Sequence, residues 1–275
     1  MLEELMCWYN GRFCPLKEVH ISPLDFGFIH SDATYDVFRV VNKQPVFLEL
    51  HEERFKQSCD YFGFSPLHNI KDVSMELCEK NNLSDAFVWL CVWRGRPPSG
   101  SPRDLSGVQN SLIYVKPYYA LTQAPAISLT INFEHRRVPD VCYNQRSKNF
   151  GWIEFTFAQR EANRRSFDSA IVLSPEGFIT EGPGFGICFV KNGKVKTPKS
   201  HCLQSVTLQI VERICADMDI SFKRCDLTPA DAFDADEAFV GSTSGGVTLV
   251  SRIDDHVLSH DLSNKIKEVY NGIKT

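Results

Sequence analysis

Residues Ile179–Pro198 read ITEGPGFGICFVKNGKVKTP, and this stretch decides how the rest of the chain is read. The apolar run Ile187–Val190 is joined to Lys194–Lys196 through Asn192-Gly193. Asn-Gly between two strand-like runs predicts a type I′ hairpin, because both central residues must take positive φ. Ahead of the hairpin stands Glu181, followed by the glycine-rich turn Gly182-Pro183-Gly184-Phe185-Gly186, which lets backbone approach a ligand closely. A second hairpin is expected just upstream, Ser169–Leu173 with Phe178–Thr180 around Pro175-Glu176-Gly177. Helical periodicity brackets this β-rich block. A helix is predicted near Gly151–Arg164, and another over Ser205–Met218, where Val206, Ile210, Val211, Ile214 and Met218 share a face.

Working outward, strand Ile127–Phe133 precedes the block. Strands near Ile220–Cys225, Ala238–Val240 and Val247–Val250 follow it, then a helix over Asn264–Gly272. The N-terminal part opens with the hairpin Met6–Tyr9 and Arg12–Cys14 on Asn10-Gly11. A further hairpin pairs Tyr35–Val41 with Pro45–Leu48. Helices over Leu50–Phe62 and Ile70–Lys80 come next, then strands Ala86–Trp93 and Ser111–Val115 flanking a Gly/Pro/Ser/Arg-rich loop, Arg94–Gly107. The segment around Gln123-Ala124-Pro125 reads as a linker. Strands and helices mix without a strict βαβ repeat, so an α+β fold is expected. The expected domains are a smaller one over 1–118, a linker over 119–126 and a larger one over 127–275 that carries Lys148.

Lys plus Arg number 30 and Asp plus Glu 34, so 30 − 34 = −4, a mild acidity that argues against nucleic-acid or anionic-membrane partners. The longest apolar runs, such as Ala86–Trp93, are far short of the ~20 residues a bilayer span requires. Acids near the start, in MLEELMCWYNGRF, are unlike an export signal. The ten cysteines are scattered and form no CxxC pair, as expected of reduced, mostly buried thiols in a cytoplasmic protein without a metal site.

Several segments could carry chemistry, although each alone has an ordinary structural explanation. Lys148 stands among aromatic and small residues in Arg146-Ser147-Lys148-Asn149-Phe150-Gly151-Trp152; apolar surroundings make an amine easier to deprotonate, which suits a nucleophile. The run Gly241-Ser242-Thr243-Ser244-Gly245-Gly246 follows an apolar strand and offers hydroxyls and N–H groups to an anion. Ser205-Val206-Thr207 opens a predicted helix, whose first amides favour a phosphate.

In order and wording these segments resemble the fold-type IV pyridoxal-phosphate (PLP) enzymes, the branched-chain and D-amino-acid aminotransferase class. The matching stretches run over nearly the whole chain: SPLDFGFIHSDATYDVFRV (Ser22–Val40), HEERF (His51–Phe55), SKNFGW (Ser147–Trp152), AQREA (Ala158–Ala162), Ile179–Pro198, LQSVT (Leu203–Thr207) and FVGSTSGGV (Phe239–Val247). The phrases HSDATYDV, KNFGW, TEGPGF and STSGGV are most similar to (R)-selective amine transaminases. The resemblance implies a two-domain enzyme of the D-amino-acid aminotransferase-like fold, homodimeric, with the site between its domains and pyridoxal 5′-phosphate as cofactor. It implies that Lys148 holds the cofactor as a Schiff base and moves the substrate proton. Glu181 would keep the pyridine nitrogen protonated. Arg54, the amides of Val206 and Thr207, and the hydroxyls of Thr243, Ser242 and Ser244 would hold the phosphate. His30, Tyr35, Val37, Phe87, Trp89 and Trp152 would line the substrate pocket. The expected reaction is ping-pong transfer of an amino group from an (R)-amine or D-amino acid to an α-keto acid.

Three departures stand out. Pro183 and Gly186 replace polar residues of the family pattern. Trp89 stands in Phe87-Val88-Trp89, where amine transaminases have Glu. The arginine that relatives use for a substrate carboxylate is replaced by Ser99-Gly100, which leaves Arg39, Arg96 and Arg103 as candidates. These departures keep other readings open: D-amino-acid or branched-chain transamination, a PLP lyase of the aminodeoxychorismate lyase type, or a non-catalytic PLP-binding protein.

Overall fold

A computed structural model of the chain describes residues 2–119 and 125–273. The expected linker 119–126 therefore falls largely outside the described residues. Two compact units emerge. The first holds the described residues before 120 and also Ser147–Gly151; the second holds 125–146 and 152–273. Lys148 thus groups with the first unit, whereas both flanks of its segment group with the second.

The first unit is a six-stranded sheet covered by helices. In chain order it contains β1 (Met6–Tyr9), β2 (Arg12–Pro15), α1 (Phe26–Ile29), β3 (Ala33–Val41), β4 (Gln44–Val46), α2 (Leu48–Phe62), α3 (Ile70–Lys80), β5 (Ala86–Arg94) and β6 (Gln109–Pro117). The sheet order is β2-β1-β6-β5-β3-β4, and its neighbours are antiparallel. Both predicted hairpins form on residues of positive φ, Asn10-Gly11 and Asn42-Lys43. The second differs in detail: its return strand stops at Val46, because Phe47 turns into the left-handed region and α2 begins at Leu48. Strand alternation then sorts the side chains. Phe38, Val40, Val88, Leu90, Val92, Ile113 and Val115 face α2 and α3 in one core. Tyr35, Trp89, Cys91, Trp93, Leu112 and Tyr114 form an aromatic layer on the other face. Because β4 pairs only with the end of β3, from Arg39 to Val41, the first half of β3 has an edge to spare. The Lys148 segment lies there, with an antiparallel bridge from Asn149 to Thr34.

The second unit contains β7 (Ile127–Arg136), α4 (Ile153–Arg164), β8 (Ser169–Leu173), β9 (Gly186–Lys191), β10 (Lys194–Pro198), α5 (Val206–Asp217), β11 (Phe222–Cys225), α6 (Pro229–Phe233), β12 (Glu237–Ser242), β13 (Gly246–Ile253), β14 (His256–Val257) and α7 (Asp261–Gly272). Its mixed sheet runs β11-β10-β9-β12-β13-β7-β8, with β14 paired to β13. The Asn192-Gly193 hairpin forms as expected, with both residues at positive φ. The hairpin expected from Ser169–Leu173 and Phe178–Thr180 closes through backbone bonds although its second arm is too short to count as a strand: the Ser174 amide donates to the Phe178 carbonyl, the Thr180 amide to Val172 and the Val172 amide to Glu181, around a bridge between Leu173 and Ile179. The Ile179 amide faces outward at that bridge and donates to the Leu227 carbonyl. Helix α6 escaped the sequence reading although its signal is present: Pro229 opens it, and Thr228 and Asp231 make a reciprocal capping box. No described helix is long and apolar enough to cross a membrane.

Candidate active site

In the first unit the site is built on β3 and α2. Asp36 points from β3 toward α2 and is fully buried. Its Oδ2 accepts the Arg54 Nε–H at 2.7 Å, and its Oδ1 accepts Arg54 Nη2 at 2.8 Å. This two-pronged match fixes the plane of the guanidinium. His51, one helical turn before Arg54, presents Nδ1 to Asp36 Oδ1 at 2.8 Å. Burial pushes the Asp36 carboxyl up, but the Arg54 charge and the His51 contact outweigh it and hold the group well below the usual carboxylate range. Burial also holds His51 below its ordinary value, against the upward pull of Asp36. Because the Asp36 carboxylate can only accept, His51 Nδ1 carries the proton that it donates to Asp36.

Lys148 lies at the open edge of β3 and is half-buried. Its amide N–H donates to Ser58 Oγ at 3.0 Å, and its carbonyl accepts the Thr34 hydroxyl at 2.5 Å. Its Nζ sits 4.5 Å from the centre of the Tyr35 ring. Tyr35 in turn stacks on Trp89, 5.4 Å between centroids, and meets Phe150 at 4.8 Å. Beside this stack is a cavity of about 290 Å³ lined by Phe28, Trp89, Cys91, Trp93, Leu112, Tyr114 and Phe150, with Ile21, Gly27 and Ala33. Its lining is almost wholly apolar and aromatic.

The remaining residues singled out in this unit scatter. Arg39 donates to the Tyr118 hydroxyl at 2.9 Å and lies over that ring, while Phe87 meets Tyr118 edge-on. Val37 is half-buried in the aromatic layer. His30 caps α1 and packs on Phe26, at the surface. Arg96 and Arg103 are exposed on the loop after β5, whose start is fixed by Asp25 accepting the Arg96 amide at 2.9 Å. None of the three arginines lines the cavity.

In the second unit Glu181 is buried. Its Oε1 accepts Arg137 Nη2 at 3.0 Å and the Leu203 amide at 3.0 Å. Arg137 also pairs with Glu154 and lies 4.3 Å from the centre of the Phe155 ring. Burial, followed by the Glu181 charge, pushes the Cys202 thiol up to about 12. Trp152 packs edge-on against Phe155.

Helix α5 begins at Val206, after Ser205 caps it by accepting the Leu208 amide, and the amides of Val206 and Thr207 lie ahead of the first intrahelical bond. This helix end rests directly on the sheet, which explains two glycines. Gly186 and Gly241 are register partners on β9 and β12. A Cβ on Gly186 would come within 2.7 Å of Leu208 Cδ1, and one on Gly241 within 2.7 Å of Leu208 Cδ2 and 3.1 Å of Thr207 Cγ2. Gly186 therefore makes room for the helix, where the family pattern has a polar side chain. Ser242 and Ser244 face each other at 3.2 Å across the turn holding Thr243, and Ser242 Oγ accepts the Gly245 amide.

The model of the amino-transferase class IV family matches residues 33–253, four-fifths of the sequence. The chain belongs to that family. A Methanocaldococcus jannaschii protein, provisionally named a branched-chain-amino-acid aminotransferase, is 28% identical over 277 residues, covering 98% of this chain and 96% of its own length. The branched-chain-amino-acid aminotransferase of Salmonella typhimurium is 24% identical over 267 residues, covering 90% and 84%. Among solved structures, the branched-chain aminotransferase of Thermoproteus uzoniensis with norvaline superposes with a TM-score of 0.91 at 23% identity, covering 97% of this chain and 93% of that one. The PLP form of the Thermobaculum terrenum enzyme gives 0.88 at 21%, covering 98% and 94%. The α+β architecture is thus that of the class IV aminotransferases, and the chain is an aminotransferase.

Sequence reading missed the partners that hold this family member's candidate residues in place: Asp36, His51, Thr34 and Ser58 in one unit, Arg137 and Glu154 in the other. Two signals were available. His51 and Arg54 are spaced to share a helix face. Asp36 falls on the core side of a strand whose alternate residues, Tyr35 and Val37, face the other way, and a buried acid requires a cationic partner.

Proposed function

We propose that this aminotransferase takes its amino group from a donor bearing a bulky apolar substituent, an (R)-amine or D-amino acid, and passes it to an α-keto acid. The apolar, arginine-free cavity beside Tyr35 and Lys148 is the observation that carries this reading, since a charged substituent there would lose its water without gaining a partner. Pyridoxal 5′-phosphate is the cofactor, and when bound it supplies an aldehyde that condenses with amines and a ring that accepts electrons from the reacting carbon.

The residues present fit that group. The paired glycines let the start of α5 rest on the sheet, and the donors gathered there, the Val206 and Thr207 amides and the Thr243, Ser242 and Ser244 hydroxyls, would hold a phosphate. In this reading Arg54 adds its charge to the phosphate, with its plane set by Asp36. Glu181, paired with Arg137 and the Leu203 amide, would hold a proton on the ring nitrogen. Lys148 would hold the cofactor through its Nζ and would carry the proton away from the donor's reacting carbon. Tyr35, Trp89 and Phe150 hold the apolar substituent, and Trp152, Val37, Phe87 and His30 belong to the wider pocket. The same proposal includes a homodimer and a cytoplasmic location, both resting on the sequence resemblance.

A second reading, an L-branched-chain donor, is favoured by the names of the relatives, and an apolar cavity suits that substituent as well. Stopped-flow half-reactions distinguish the two. Holoenzyme is mixed separately with (R)-1-phenylethylamine, D-alanine and L-leucine, and loss of the visible cofactor band is followed. Fast loss with the plain amine or with D-alanine supports the first reading. Loss with L-leucine alone replaces it with the second, and no loss with any of the three removes both.

A further inference from the structure

We infer that Thr34 and Ser58 are the positioning residues of Lys148: two buried hydroxyls that grip its peptide from opposite sides and so fix where its amine emerges. The inference rests on the reading of Lys148 as the cofactor lysine and deepens it. Both hydroxyl residues are fully buried. Ser58 Oγ accepts the Lys148 amide at 3.0 Å and donates to the Arg54 carbonyl at 3.0 Å. Thr34 donates to the Lys148 carbonyl at 2.5 Å. The neighbours of Lys148 are held differently. Asn149 Nδ2 donates to the Ser147 carbonyl, and the Gly151 amide donates to Asn149 Oδ1, so these bonds shape the segment from within. The Lys148 peptide reaches out of the segment at both ends, to residues 90 and 114 positions away in sequence.

The two hydroxyls also tie Lys148 to Arg54. Thr34 lies two residues before Asp36 on the same face of β3, and Ser58 lies one turn after Arg54 on α2. One strand and one helix therefore set the guanidinium plane and the lysine peptide together. A shift of the Lys148 peptide is carried along its side chain to Nζ, now 4.5 Å from the centre of the Tyr35 ring. Misplacing a reacting group by about 1 Å can cost on the order of a hundredfold in rate, so the grip matters to proton transfer more than to holding the cofactor.

The test compares wild type with Thr34→Val, Thr34→Ser, Ser58→Ala and Lys148→Ala, using whichever of (R)-1-phenylethylamine, D-alanine and L-leucine wild type consumes fastest. Four quantities are read: the apoenzyme melting temperature, cofactor affinity by titration of apoenzyme, the pH midpoint of the visible band, and the single-turnover rate with its half-saturating donor concentration. Thr34→Val and Ser58→Ala are expected to keep cofactor affinity within about threefold, to slow single turnover by roughly 10–100-fold with little change in half-saturation, and to move the visible midpoint. Thr34→Ser is expected to restore both rate and midpoint. The proposal is overturned if rate and midpoint stay at wild-type values in both hydroxyl-less variants. It is equally overturned if those variants lose their melting transition, since the hydroxyls would then serve the fold. Turnover persisting in Lys148→Ala sinks the lysine reading itself. A dead Lys148→Ala beside an unperturbed Ser58→Ala sinks only the grip.

Discussion

Replacing Asp36 with Asn gives the most searching test of how the phosphate-side residues are held. The change keeps the shape but removes the charge that balances a buried guanidinium, and it exchanges an acceptor oxygen for an amide that faces the Arg54 and His51 donors. Two short bonds to Arg54 and one to His51 are at stake, all in a fully buried setting. Breaking a buried ion pair by removing one partner costs about 3–5 kcal/mol, because the surviving charge is left uncompensated. At ~2–3 °C per kcal/mol for a chain of this size, the apoenzyme Tm should fall by roughly 6–15 °C. The holoenzyme should lose less, since a phosphate dianion re-pairs Arg54. The assay is a pair of thermal melts, with and without saturating cofactor, on wild type, Asp36→Asn and the double variant Asp36→Leu/Arg54→Met. The double variant should recover part of the loss, as apolar replacement of both partners removes the stranded charge. An apo Tm within about 2 °C of wild type would refute the claim that Asp36 is what keeps Arg54 in place. Equal losses in apo and holo forms would refute the phosphate role of Arg54 while leaving the pair intact.

Three further predictions concern other parts of the chain. Gly241→Ala forces Leu208 off a sheet that already touches both of its methyl groups, so about 1–3 kcal/mol of stability should be lost and cofactor binding should weaken; Gly272→Ala, which meets nothing, serves as control, and equal melts and affinities for the two would count against the close seating of α5 on the sheet. Acid should destabilise the fold below pH 6.5, because unfolding frees His51, which burial holds below its ordinary value of 6.5, to take up a proton. The unfolded state then binds more protons than the folded one, so stability falls with pH by up to about 1.4 kcal/mol per unit until His51 titrates in the fold. Asp36, held below the usual carboxylate range, adds a second loss below its ordinary value of 3.8. Urea unfolding from pH 8 to 5 should show this slope in wild type and a flatter one in His51→Asn; matching slopes would remove His51 as the cause. With a thiol reagent, the native protein should label Cys142 fastest, since it is exposed, whereas burial holds Cys7, Cys59 and Cys91 at about 12. Rapid labelling of those three without denaturant would contradict the packing described.

The parts legible in sequence were those set by local physics. Asn10-Gly11 and Asn192-Gly193 announced their hairpins because few residues tolerate two successive positive φ values. Helix Ile70–Lys80 was read to the residue. Arg54, Lys148 and Glu181 were singled out through resemblance, because the local signals at Lys148 and Glu181 each had an ordinary structural explanation and Arg54 had none. What escaped was long-range. Asp36 becomes meaningful only when α2 lies across β3, and Arg137 only when it meets Glu181 from 44 positions away. Gly186 looked like a lost polar contact until its register partner Gly241 and the overlying Leu208 gave it a steric purpose. The Leu227 carbonyl that takes the outward-facing Ile179 amide was likewise invisible, being 48 positions away.

The short segment Ser147–Gly151 also bears on how the chain comes together during synthesis. It protects the bare flank of β3, so a ribosome-bound chain that has emitted only residues 1–119 has an unpaired strand edge, a template for pairing with other chains. The strip is seated by contacts to Thr34 on β3 and Ser58 on α2, spanning 114 and 90 residues, the kind of distant pairing that slows folding. A truncated fragment ending near 119 should therefore be prone to self-association, and addition of the missing strip as a separate peptide should suppress it.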